Sequence, residues 1–284
     1  LSTGIGGKCI STDLDAIIGD STQGPTITAK TTGARFVEVQ GSNEENTDYA
    51  NPKVFKADNN MTINNGTLNI SSTHNGGEGL ESKNIMTING GNIKINTVDD
   101  CINAASSIVI NEGKLYCMAT GNDAMDSNGT LIINGGTIFV SGANAPEGGF
   151  DCDMSSNFTI TGGVLIGIGG SNTTPSTNNT KQATLIYSAT LNTNQLFTIT
   201  DANGNHIISF KNPRTASSGG GSTPPGGGGR PGGGGGRPGD SGGAGGTSIL
   251  ISTPEFVKGN SYKIYTDGTV SSGETFECIT YKGS

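Results

Sequence analysis

The chain has 284 residues, 48 of them Gly and 29 Asn, with no Trp and only 14% charged side chains. Gly and Asn are poor helix formers and good turn formers, which argues against a helical or doubly wound architecture. The 24 acidic residues outnumber 16 basic ones, removing the basic footprint of a nucleic-acid binder, and no apolar run approaches the roughly 18–20 residues of a membrane-spanning helix.

The chain opens on Leu1 rather than Met, consistent with removal of a leader or with trimming of the chain. GKCIST around Lys8 and PTITAKTTG from Pro25 read as a first coil, and Gln40 to Pro52 as an excursion. From about residue 53 to 170 the chain repeats itself. Five segments share an apolar–Asn–Gly pattern: MTINNGTLNI from Met61, MTINGGNIKI from Met86, IVINEGKLYC from Ile108, LIINGGTIFV from Leu131 and FTITGGVLIG from Phe158. Their turn glycines, Gly66, Gly91, Gly113, Gly136 and Gly163, are 25, 22, 23 and 27 residues apart. Each segment predicts two short strands bent at a turn that needs positive φ, which glycine adopts without steric cost.

A third strand precedes each pair: KVFKA from Lys53, EGLES from Glu78, DCINA from Asp100, DAMDS from Asp123 and GFDCD from Gly149. Alternation places Phe55, Leu80, Ile102, Met125 and Phe150 in one inward column. Ile63, Ile88, Ile110, Ile133 and Ile160 form a second, and Leu68, Ile93, Leu115, Ile138 and Leu165 a third. Three strands per repeat with apolar columns in register predict an all-β fold, a single parallel β-helix whose coils bury their apolar faces against their neighbours. The alternative, an antiparallel sandwich of short strands, has no reason to hold a fixed repeat.

Residues 171–181 read as a polar loop. LIYSA, LFTITDANGNHIISF and ILISTPEFVKGNSYKIYT read as strands, with Asn203-Gly204 as a hairpin turn. Residues 217–246 are almost pure Gly, Pro, Ser and Arg, a composition that cannot bury a core. The strand signal resumes for residues 248–284, so the run reads as an insertion within one domain spanning 1–284. Its GGGGRPGGGGGRPG lacks the GK[ST] ending of a phosphate-cradling loop. Five Cys cannot all pair. Cys9, Cys101, Cys117 and Cys152 fall in strand patterns, where a free thiol packs as a small apolar group. With His74 and His206 the only histidines, a zinc cluster is not expected.

Aligning the coils puts Glu78, Asp100 and Asp123 in one column, and Glu81, Asn103, Asp126 and Asp151 in another. Asp99, Asn122 and Glu147 sit at or just before the turn leading in. By period two the second column points outward. Carboxylates stacked about 4.8 Å apart repel one another unless a cation sits between them. Calcium suits such a set, because it takes about 6–8 oxygens from carboxylates, amides and carbonyls. Asn103 and Asn122 supply neutral oxygens. The competing reading is a plain solvated acidic face.

With GGEGLESKN, TVDDCINA, GNDAMDSNG and the repeated Asn-Gly turns, residues 53–170 resemble the carbohydrate-binding-domain family of secreted bacterial proteins, and the Gly-rich insertion followed by ILISTPEFVKGNSYKIYT extends the likeness. The resemblance implies a pectate-lyase-like right-handed β-helix, bound Ca2+, and binding of cell-wall polysaccharide, especially acidic pectin-type chains and also cellulose, without established cleavage. The family's acid-rich motifs fall here on Glu78, Glu81, Asp99, Asp100, Asp123, Asp126, Asp151 and Asp153 as metal ligands, with Asn103, Asn122 and Lys83 toward the carbohydrate. Cys101 and Ala124 depart from the family's usual Gly. The implied protein is a monomer, secreted or at the bacterial cell surface, with a polysaccharide partner.

A polysaccharide lyase would need a strong base beside the metal. None of Arg35, Arg214, Arg230 and Arg237 lies in the repeats, and Lys53, Lys56 and Lys83 read as solvated surface groups flanking the acids. A glycoside hydrolase would need two carboxylates at about 5–5.5 Å or 6.5–9.5 Å, which Asp126 and Asp151 approach, but metal-bound carboxylates are poor proton donors. Neutral glucans are usually held by aromatic platforms, whereas Tyr49, Tyr116 and Tyr187 are scattered. The expectation is therefore a non-catalytic module preferring anionic over neutral glycans. A polysaccharide-degrading enzyme and an adhesin-like spacer are the alternatives.

Overall fold

The computed structural model describes residues 1–43, 46–189, 192–214 and 247–267, with the backbone of 269–277. The first coil is β1 (Lys8–Thr12), β2 (Ala16–Ile18) and β3 (Thr26–Thr31). A hairpin of β4 (Phe36–Val39) and β5 (Asp48–Ala50) then leaves the stack, overlapping the expected excursion. Five further coils follow: β6 (Lys53–Ala57), β7 (Met61–Ile63) and β8 (Thr67–Ser72); β9 (Glu78–Ser82), β10 (Ile85–Ile88) and β11 (Asn92–Thr97); β12 (Ile102–Ala104), β13 (Ser107–Ile110) and β14 (Lys114–Ala119). The last two are β15 (Met125–Ser127), β16 (Thr130–Ile133) and β17 (Thr137–Ser141), then β18 (Phe150–Cys152), β19 (Phe158–Ile160) and β20 (Val164–Gly169). The C-terminal strands are β21 (Thr184–Ala189), β22 (Leu196–Asp201), β23 (His206–Lys211), β24 (Thr247–Ser252), β25 (Ser261–Thr266) and β26 (Thr269–Glu277). The only described helical element is a single 3-10 turn at Ser155–Asn157.

Equivalent strands pair in parallel from coil to coil, giving three long sheets. The registers pair Leu80 with Ile102, Ile88 with Ile110 and Ile93 with Leu115, and the three apolar columns run through every repeat as the alignment predicts. Nearly all of these side chains are fully buried in one continuous core. Each contributes about 1.5–3 kcal/mol of burial, but only against the coils above and below. The turn glycines all have positive φ, from 91° at Gly136 to 128° at Gly66. Beside them the turn asparagines form a ladder: Asn89, Asn111 and Asn134 each donate Nδ2 to the Oδ1 of the preceding rung at 2.7–2.8 Å. Thr161 closes it on Asn134.

The stack is closed at its C-terminal end by two devices that protect exposed strand edges. The polar loop after Gly170 lies along β18 and β19: Asn172 Oδ1 accepts from the Phe150 amide at 2.9 Å, and the backbone amides of Thr173, Ser176 and Lys181 donate to Phe150, Phe158 and Ile160. The third edge, β20, is taken by antiparallel β24, which in turn pairs with β21. Strands β22, β23, β25 and β26 form a separate antiparallel sheet with a second hydrophobic core around Phe197, Ile199, Tyr262 and Ile264. The hairpin at Asn203-Gly204 is present, with Gly204 at φ 90°. Cys101, Cys117 and Cys152 are buried free thiols, and Cys9 is half-buried. The Gly-rich insertion and Cys278 lie outside the described residues.

Candidate functional site

The acid-bearing sheet is β1-β6-β9-β12-β15-β18. Its register aligns Glu81, Asn103, Asp126 and Asp151 on successive strands, as the repeat alignment predicts. Outward direction does not mean exposure here. All five residues of β9 are buried, including Glu81 at 3% exposure, and Asn103, Asp126 and Asp151 are half-buried. Glu78, Asp100 and Asp123 are buried at the corner leading into this sheet, Asp99 and Asn122 are half-buried beside them, and Asp153 is exposed.

One expectation is corrected. Lys53 is not a solvated surface group: it is 8% exposed, and its ammonium lies 2.5 Å from Glu78 and 2.9 Å from Glu81. The physical reason lies in the alternation itself: Lys53 is two residues before Phe55 and shares its inward side, and its register partner Glu78 shares that of Leu80, so the two are buried together. Burial alone would lower the Lys53 pKa, but the two glutamates outweigh it and hold the ammonium above its ordinary value. Lys83, which is exposed, sits 2.5 Å from Glu81. Burial also pushes Glu81 up, but Lys53 and Lys83 together hold its carboxyl low, whereas burial pushes Glu78 up against the pull of Lys53 alone. Each glutamate keeps a buried oxygen, Oε2, without a hydrogen-bond partner.

Further along the column no described cation pairs with Asp100, Asp123 or Asp126. Asp100 Oδ1 accepts from the Asp123 amide at 3.2 Å, and Asp123 Oδ1 from the Gly148 amide at 2.5 Å, so each corner acid clips the next coil. Asn103 donates to Asp100 at 2.9 Å and to Asp126 at 3.4 Å, Asn122 donates to Asp99 at 2.5 Å, and Thr173 to Asp151 at 3.0 Å. These neutral donors do not offset the charge. Burial, joined by Asp151 and Glu147, pushes Asp123 up to about 9. Burial, joined by Asp151 and Asp153, pushes Asp126 up to about 8. Burial with Asp99 and Asp126 carries Asp100 well above the carboxylate range.

Among the described residues no three His, Cys, Asp or Glu side chains converge on one point, so those residues do not form a closed carboxylate cage. They offer adjacent pairs, of which Asp126 and Asp151 are direct register partners. Calcium takes about 6–8 oxygens and accepts amides, carbonyls, water or ligand oxygens beside carboxylates, so a pair fits it as part of a shared coordination shell.

A second feature escaped the sequence reading. Tyr116 is not an isolated ring: it stacks on Phe139 with centroids 5.2 Å apart and planes 13° from parallel. The two are register partners on β14 and β17, a neighbour relation already contained in the repeat alignment.

No curated protein and no solved structure matches the chain. Residues 6–121 and 78–220 match the model of a family described as carbohydrate-binding domain-containing protein. Those spans cover well over half of the chain, and a β-solenoid with polar columns on its outer faces is a scaffold suited to that description: the chain belongs to this carbohydrate-binding domain family.

Proposed function

We propose that this carbohydrate-binding protein is non-catalytic, uses calcium, and recognises acidic cell-wall polysaccharide of the polygalacturonate or pectin type in preference to cellulose. The observation that carries the reading is the run of Asp100, Asp123 and Asp126, buried or half-buried, mutually repelling and offset by no described cation. A divalent ion held by a pair such as Asp126 and Asp151 supplies the missing positive charge and leaves coordination positions for uronate oxygens. Glu78, Glu81, Asp99, Asp100, Asp123 and Asp153 line the same ridge, and Asn103, Asn122 and Lys83 edge it with hydrogen-bonding groups. Sites with few protein carboxylates bind calcium weakly, at about 10⁻⁴–10⁻³ M in extracellular modules, which fits a monomer secreted by a bacterium or displayed on its surface. Calorimetry with polygalacturonate oligomers in millimolar calcium and in chelator tests this. Calcium-dependent heat without unsaturated product supports it, and equal or stronger capture by cellulose contradicts the stated preference.

A hydrolase reading has one observation in its favour. Asp126 holds its proton near neutrality one strand away from Asp151, and the strand spacing of about 4.8 Å approaches the separation of a retaining pair. Reducing-end release from polygalacturonate that Asp126→Asn abolishes would establish it. The lyase reading has no such support from Lys53, whose ammonium is locked between two carboxylates and cannot serve as a base.

A further inference from the structure

The acids occupy one sheet, and the sheet containing β3, β8, β11, β14 and β17 has the opposite character. Its outward positions read Thr26, Thr28 and Lys30 on β3; Thr67, Asn69 and Ser71 on β8; Asn92, Lys94 and Asn96 on β11; Lys114, Tyr116 and Met118 on β14. Three lysines and no acid share these four strands, the nearest acids in sequence, Asp99 after β11 and Glu112 before β14, each lying two residues outside them. Lys30, Lys94 and Lys114 are exposed, and among the described residues none is ion-paired. Elsewhere on the described coils Lys53, Lys56 and Lys83 are engaged with acids, and Lys8 reaches the Gly6 carbonyl. The Lys94 ammonium lies 5.9 Å from the Tyr116 ring centre, and Tyr116 is 37% exposed while Phe139 backs it.

We infer that this face is a second dock for an acidic glycan, independent of calcium. The lysines spread across β3 to β14, about 14 Å at ordinary strand spacing, so they meet successive carboxylates of an extended polyuronate and not a single small anion. Tyr116, with Phe139 stacked on one face and the Lys94 ammonium over the other, offers its exposed edge and hydroxyl to one sugar. Asn69, Asn92 and Asn96 offer amides to its hydroxyls. On a molecule of net charge −8, a polyanion approaching without calcium is repelled by the acid ridge, and beyond a Debye length of about 8–10 Å it feels mainly the nearest face. The inference rests on the acidic-glycan reading above but uses different residues, so the two can fail separately.

The test is binding of polygalacturonate oligomers by the full chain in chelator, over a salt series, beside the same titration in millimolar calcium. Wild type is expected to keep a chelator-resistant, salt-sensitive component. The double variant Lys94→Glu, Lys114→Glu should weaken that component about tenfold or more, and Lys94→Arg should retain it. Melting curves check that each variant folds. A double variant that folds and binds in chelator like wild type overturns the inference. So does loss of all binding in chelator while the calcium-dependent component persists. No binding under either condition overturns the glycan reading itself.

Discussion

Two faces of one solenoid carry opposite chemistry on the same geometry. On the β6-β9-β12-β15-β18 side, acids of successive coils crowd together, with Asp126 directly on Asp151, and the stack is half buried, so each charge raises the proton affinity of its neighbours. On the β3-β8-β11-β14 side, register spreads exposed lysines among Asn and Thr, one strand position or more from each other. In a repeat fold a polar residue is copied into a column at one strand spacing, so what decides its effect is whether the column is covered. The covered column stores repulsion and needs a counter-ion, whereas the open one presents charge to a ligand.

The largest way to break this comparison is Lys53→Met. It leaves Glu78 and Glu81 buried without their shared cation and should cost about 3–5 kcal/mol in denaturant unfolding at neutral pH, while Lys94→Met on the open face should stay within about 0.5 kcal/mol of wild type. Equal effects would erase the distinction between the faces. Ile110→Ala, in the middle of a fully buried column, should cost about 2–5 kcal/mol through the cavity it opens. Gly113→Ala should cost about 1–3 kcal/mol, because Gly113 sits at φ 116° and an added methyl meets the Gly90 backbone at 3.2 Å.

The pH dependence sharpens the contrast. Asp123 and Asp126 have folded pKa values near 9 and 8, raised above their ordinary unfolded value of 3.8. The folded state therefore binds more protons than the unfolded state between those limits, and stability falls as pH rises. In chelator the melting temperature should decline from about pH 5 to about pH 9, the two groups titrating as a coupled set, and the stabilisation by calcium should grow over the same window as it displaces their protons. A flat profile in chelator would mean the carboxylates are not buried together. The smallest effect expected is that of Asp126→Asn without calcium: a slight gain in melting temperature at pH 8, accompanied by loss of most of the calcium-linked rise.

Much of the fold was legible because the repeat is self-checking. Ile63, Ile88, Ile110, Ile133 and Ile160 fall at matched positions, and only stacked parallel strands give five such residues one neighbour relation each. The turn glycines were readable for the same reason. The burial of Lys53 is contained in the alternation too, since Lys53 shares the side of Phe55, whereas the burial of Glu81, on the outward side of β9, depends on tertiary contacts. The asparagines were legible as turn formers but not as a ladder, since side-chain bonding between coils needs the register first. Tyr116 and Phe139 hold the same outward position in successive repeats, so their contact is implicit in the alignment. The antiparallel C-terminal sheet has no repeat to reveal its partners, and there strand presence was readable but pairing was not.

The most direct measurement is a crystal of the chain soaked in millimolar calcium at about pH 8, with diffraction data read for an ordered ion along the acid ridge. The account predicts a calcium beside Asp126 and Asp151 at about 2.3–2.6 Å from their oxygens, lost in Asp126→Asn. Well-ordered carboxylates with no ion between them, bonded instead to each other through a shared proton, would contradict it.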